Sequence, residues 1–155
     1  MLDKSAKLIN NAIDEIRLLS QEYVTPVKMV TLEELIRSLM DRVSETTRIQ
    51  THLNYDVNGL NIRDDLKLNI YRIMQEQINN IVKHAHASHI DINVKGDHRT
   101  LQVTVADDGQ GFDLNKKRKG IGVSNMINRV ESFNGELNID TSEGKGTRLN
   151  IKIPC

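Results

Sequence analysis

Gln75-Glu76-Gln77-Ile78-Asn79-Asn80-Ile81-Val82-Lys83-His84 is the stretch on which the fold and the function both turn. Leu66, Ile70, Ile73 and Met74 before it, with Ile78, Ile81 and Val82 inside it, recur at helical spacing. They predict a long helix that starts at Asp64 or Asp65, with these residues as its buried stripe. Glu76, Asn80, Lys83 and His84 are also three and four apart, so they project together from one helical face. A carboxylate, an amide oxygen, an ammonium and an imidazole make a poor core. They suit a metal–phosphate site, because magnesium takes oxygen ligands and keeps waters and substrate phosphates in its shell. Read alone, such a stripe is more often a solvated helix face.

Downstream of this helix, Ser88 to Val94 and Leu101 to Ala106 read as strands joined by the turn Gly96-Asp97-His98-Arg99. A glycine-rich loop comes next, then a helix from about Val123 to Phe133. The strands Glu136 to Thr141 and Thr147 to Ile153 flank the turn Ser142-Glu143-Gly144-Lys145-Gly146. Upstream, Ile49, Thr51, Leu53, Tyr55 and Val57 alternate along one strand face, and Asn58-Gly59 turns the chain. Thr31 reads as an N-cap with Glu34 three residues on, before the stripe Leu32, Leu35, Ile36, Leu39 and Val43. Before Pro26, the residues Leu2, Ala6, Ile9, Ile13, Ile16, Leu19 and Tyr23 form a narrow, coiled-coil-like seam. Paired strands with helices between them predict an α+β fold, a two-layer sandwich on a mixed sheet, not a doubly wound one.

Lys plus Arg equals Asp plus Glu at 21 each, so no overall charge points to nucleic acid or to a membrane surface. Any anion site has to come from a local cluster. The single cysteine, Cys155, cannot form an internal disulfide, which fits a reducing compartment. No apolar run approaches the roughly 20 residues of a membrane span. The expectation is a cytoplasmic domain, with a membrane-anchored parent left open.

Three further constellations carry chemistry. Val105-Ala106-Asp107-Asp108-Gly109-Gln110-Gly111-Phe112 comes directly after a strand and puts a carboxylate at its end beside two glycines. An aspartate there can accept from an exocyclic amine, although an ordinary Asp-Gly turn has the same signature. Lys119-Gly120-Ile121-Gly122-Val123-Ser124-Asn125-Met126 leads into a helix, where free N–H groups and the dipole favour an anion. Lys116-Lys117-Arg118-Lys119 just before it supplies local positive charge, or simply a solvated loop. Gly144-Lys145-Gly146-Thr147 serves equally as a hairpin turn.

Taken in order and spacing, these elements resemble the ATP-binding domain of histidine kinases, within the GHKL superfamily. Glu76 to His84 is similar to the N box, Asp107 to Gly111 to the first glycine box, and Gly120-Ile121-Gly122 to the second. The resemblance covers about Leu60 to Pro154 and implies a Bergerat-type fold of about five strands, mostly antiparallel, and three helices. It implies that Asn80 holds magnesium and that Glu76 is the catalytic base or polarising group beside it. Lys83 and His84 would approach the phosphates, Asp107 would bond the adenine amine, and Gly109 and Gly111 would let the base lie against the backbone. Lys119, Gly120 and Gly122 would border the triphosphate, and Thr147 would support the adenine end. ATP and Mg2+ are the implied ligands. The short lid Asp113 to Lys119, with Tyr71 to Glu76 and Asn125-Met126, resembles the nitrate-sensor and lipid-sensor subfamily.

The resemblance also implies a histidine that this sequence does not supply. Of the five histidines, His52, His84, His86, His89 and His98, none precedes the catalytic domain on a helix. Ala12 to Ser20 followed by Thr25-Pro26 resembles the second helix of a dimerisation hairpin, so residues 1–25 read as its remnant and 26–155 as the catalytic domain. Its apolar seam would either self-associate or pack back. His84, His86 and His89 do not share a helix face and have no cysteine beside them, which argues against zinc; His86 and His89 are read as complementing the helix end. The implied partners are a histidine-bearing helix, a response regulator and a second copy in the full-length protein. The implied activity is histidine phosphorylation, which this stretch alone would not perform on itself. An anti-sigma-factor-type serine kinase and a non-catalytic nucleotide-binding or dimerising module are the alternatives.

Overall fold

The structure, a computed structural model, describes residues 30–114 and 120–155. The expected hairpin helix and Lys119 lie outside the described residues. The compact unit from Leu32 to Cys155 runs α1 (Leu32–Thr46), β1 (Gln50–Val57), α2 (Asp64–Asn80), a π-helical turn (Ile81–Ala85), β2 (His89–Gly96), β3 (Thr100–Asp107), α3 (Ile121–Glu131), β4 (Glu136–Thr141) and β5 (Thr147–Pro154). Among the described residues no helix is long and apolar enough to cross a membrane.

The strands form one five-stranded sheet in the order β1-β2-β3-β5-β4. Only β1 and β2 are parallel, because α2 returns the chain between them, as parallel pairing demands. The tight connections β2–β3 and β4–β5 give antiparallel pairs, and β3 lies antiparallel to β5. Alternation then sorts the side chains. Ile90, Ile92, Val94, Leu101, Val103, Val105, Leu149, Ile151 and Ile153 face the helices and are buried. The opposite face is polar from edge to edge. Its central row, Asn54, Asn93, Thr104, Asn150 and Asn138, is in register across all five strands.

The helices meet the buried face with Ile36, Ile70, Ile73, Met74, Met126 and Val130. Truncating a fully buried residue such as Ile70 to alanine costs about 2–5 kcal/mol, from lost transfer energy and the cavity left behind. This is the α+β two-layer sandwich with a mixed sheet that the sequence predicts. Three details differ. Leu35 is only half-buried, and Met40 takes the core place beside Leu39. Val82, expected in the buried stripe, is exposed, since the helix widens at Ile81 and an extra residue per turn rotates the next side chains away from the core.

Candidate functional site

The carboxyl end of α2 with the π turn, the end of β3 and the loop after it, the start of α3, Ile139 of β4 and the start of β5 surround a cavity of about 510 Å3. That is within the size range of small-molecule and cofactor sites. Glu76, Asn80, Lys83, His84, Asp107, Gly111, Gly120, Gly122 and Thr147 all line it. Gly109 stands behind the wall, and its place is dictated by packing: a Cβ there would run into the carbonyl and side chain of Ala85. Gln77, Ile81, Gln110, Phe112 and Val123, from the same motif stretches, also line the cavity, with Ala85, His86, Leu114 and Ile139 from outside them.

The end built on the sheet is hydrogen-bonded throughout except at one buried atom. Asp107 closes β3 with its carboxyl turned into the fold. Oδ1 accepts from the Gly109 N–H at 2.8 Å. Oδ2 is buried and has no hydrogen-bond partner among the described residues. Burial pushes the Asp107 carboxyl above its ordinary value, and the neighbouring Asp108 charge adds to this; the Gly109 and Thr147 N–H groups oppose it. An unpaired buried carboxylate oxygen is costly, so this atom is set for a donor.

Thr147 is buried beside it, its hydroxyl 3.0 Å from that of Thr141. Thr141 accepts the Phe112 N–H at 3.1 Å and donates to the Gly146 carbonyl at 3.0 Å. A hydroxyl has one hydrogen, so the Thr147 hydroxyl is the donor in that pair and keeps lone pairs to offer. The sheet end of the cavity therefore presents acceptors. Gly146 is held at φ +70° with the Asp107 carbonyl where a Cβ would be, and Gly111 at φ +59° against the Ser142 carbonyl. Only glycine fits both.

Asp108 turns the other way. It accepts from the Ser88 and His89 N–H groups at 2.7 and 2.8 Å, with His89 Nδ1 at 3.0 Å. Those bonds hold its carboxyl below the ordinary value. His89, expected to complement the helix end, is instead bound to this carboxylate.

The other end of the cavity is a row of side chains on α2 and its π turn. Lys83 and His84 are exposed, and Asn80 is half-buried. Opposite them α3 opens at Gly120 with no side-chain cap. Its first-turn N–H groups and dipole favour negative charge there. A Cβ at Gly122 would strike the Glu76 carboxylate, so the acid lies directly against that turn. Carboxylate, amide oxygen, ammonium, imidazole and helix terminus together suit a phosphate chain with a divalent cation. The donor set fits magnesium: Asn80 offers an amide oxygen, and the rest of the shell would come from water and phosphate.

A family model described as Histidine kinase-, DNA gyrase B-, and HSP90-like ATPase matches residues 65–155. The chain belongs to this ATPase family. ATP binding is what the family implies for the cavity. The sensor histidine kinase MctS of Rhizobium johnstonii is 33% identical over 160 residues, covering 99% of this chain. The chain spans about a third (34%) of that relative's length. The catalytic domain of the histidine kinase ThkA superposes with a TM-score of 0.66 at 19% identity, over 81% of this chain and 92% of that one. The histidine kinase domain of the Erythrobacter litoralis EL346 blue-light activated kinase gives 0.62 at 22%, over 79% and 60%. At those identities the likeness is one of fold. With the family match, it gives this ATPase domain the fold shared by histidine kinase catalytic domains.

Proposed function

We propose that this domain binds ATP with magnesium and transfers the γ-phosphoryl group to a histidine outside residues 30–155, for relay to a response regulator. One observation carries the reading: the buried, unpaired Asp107 Oδ2 at one end of a cavity whose other end gathers Glu76, Asn80, Lys83 and His84. The acceptors Asp107 and Thr147 match a base edge that donates through an amine, as adenine does. Guanine would turn a carbonyl oxygen toward them and leave acceptors facing each other. ATP is thus preferred over GTP.

In this reading Asn80 holds the magnesium ion, which would draw charge from the transferring phosphoryl group when bound. Lys83, His84 and the α3 terminus with Gly120 and Gly122 orient the phosphates, and Lys119 on the short lid adds charge. Glu76 polarises or takes the proton of the attacking group. The chemistry asks for positioning and charge stabilisation above all. The acceptor is a histidine-bearing dimerisation helix, and the parent protein works as a dimer with a receiver domain as its downstream partner.

The test is to supply a histidine-bearing dimerisation hairpin in trans with labelled ATP and magnesium. Acid-labile, base-stable label on the hairpin, absent with Asn80→Ala, is expected. No transfer, or the same transfer with that variant, contradicts the kinase reading. A saturable ATP complex without transfer to any hairpin, in a chain that dimerises, would favour the non-catalytic alternative.

A further inference from the structure

The π turn Ile81–Ala85 is where Lys83 and His84 sit, and its end is tied to a distant loop. The last carbonyls of any helix have no partner within it, and a π turn, one residue wider than an α turn, is a rare form that is frequent at functional sites. It ends at His86, a non-glycine residue in the left-handed region at φ 50°. Its closing carbonyls are met from another part of the chain. The Gln110 N–H donates to the Ala85 carbonyl at 2.7 Å, and the Gln110 side-chain Nε2 donates to the His84 carbonyl, also at 2.7 Å. The Gln110 carbonyl in turn accepts the Gly144 N–H at 2.6 Å.

We infer that Gln110 is a positioning residue that clamps the π turn and thereby fixes Lys83 and His84 against the phosphate end of the cavity. Gln110 lies between Gly109 and Gly111, in the loop that carries the base-binding carboxylate, so its bonds join the two ends of the site. Relaxing the turn to α-helical register would rotate Lys83 and His84 by about 100° about the axis, the angle of one residue. The main-chain bonds of Gln110 hold the loop whatever its side chain is. The side-chain amide contributes one bond alone, to the residue whose own side chain faces the phosphates. The nucleotide arm of this inference rests on the function proposed above; the clamp itself does not.

The experiment uses Gln110→Met, which is near-isosteric and neutral but lacks the donor, and Gln110→Lys, which restores one. Two readouts are taken on the full chain: amide hydrogen exchange of residues 82–87, and calorimetric affinity for magnesium-ATP and for adenosine. Gln110→Met should speed exchange in that segment. It should weaken ATP about threefold to tenfold, the worth of one exposed hydrogen bond, and leave adenosine unchanged. Gln110→Lys should recover the slow exchange. Unchanged exchange in Gln110→Met overturns the clamp, and equal weakening of ATP and adenosine overturns its positioning role. If the unaltered chain binds no nucleotide, the function proposed above fails, and the exchange measurement alone still decides the clamp.

Discussion

The two ends of the cavity are built on opposite plans. At the sheet end, Asp107 and Thr147 are fixed by strand pairing, by a chain of hydrogen bonds through Thr141, and by glycines with backbone where their side chains would be. At the helix end, Lys83 and His84 stand exposed on a widened turn, and a Cβ at the glycine opening α3 would meet nothing within 4 Å among the described residues. In the proposed reading the base would meet a surface that is fixed by the fold itself. In the same reading the phosphates would meet exposed side chains carried on the π turn. On that reading selectivity would belong at the first end and charge stabilisation at the second.

Substitutions should separate the ends. The largest effect is expected from Gly146→Ala, which forces a Cβ into the Asp107 carbonyl at φ +70°. It should cost about 3 kcal/mol or more, since left-handed strain adds to the clash, and a denaturant midpoint would measure it. Asn80→Ala should leave the fold intact and weaken magnesium-ATP about tenfold while sparing adenosine; calorimetry with and without magnesium checks this. Equal loss for both ligands would deny the division.

Asp108→Ala removes two N–H acceptor bonds and should cost about 1–2 kcal/mol at neutral pH. Its carboxyl is depressed in the folded state, so its contribution is present above the ordinary value of 3.8 and fades as pH falls through the folded value. The stability gap between variant and wild type should therefore narrow in acid. The smallest effect is expected from Gly120→Ala. Open space surrounds that position and its φ is −66°, so stability should move by less than about 0.5 kcal/mol.

The same contrast explains what the sequence discloses. Strand alternation and the Asp107-Asp108-Gly109-Gln110-Gly111 loop are local signals, so the sheet and its carboxylate can be read directly. The helical stripe Glu76, Asn80, Lys83, His84 is legible by spacing, and all four do line one cavity. Its continuation is not. The end of the π turn is bonded by Gln110, 26 positions away from His84, and no periodicity records a bond between distant parts of the chain. For that reason spacing puts Val82 inside while the fold leaves it outside, and nothing local ties Gln110 to the carbonyls of His84 and Ala85. His86 and Ile139, outside the motif stretches, enter the cavity wall through tertiary packing. The glycines carry a signal whose cause lies in the fold: Gly109 is required by Ala85, before any ligand arrives.

The central claim is that Asp107 receives the adenine of ATP, and calorimetry of magnesium-ATP on wild type and Asp107→Asn tests it most directly. The asparagine keeps the Oδ1 bond to Gly109 but presents a donor where Oδ2 stood. Saturable binding in wild type that falls about a hundredfold or more in the variant is expected, the worth of a buried charged hydrogen bond and the donor left unpaired. The unliganded variant should also be the more stable protein at neutral pH. Burial raises the Asp107 carboxyl in the folded state, so its ionisation costs stability as pH rises through that value. Binding as tight in Asp107→Asn as in wild type, or none in wild type up to millimolar nucleotide, would contradict the account.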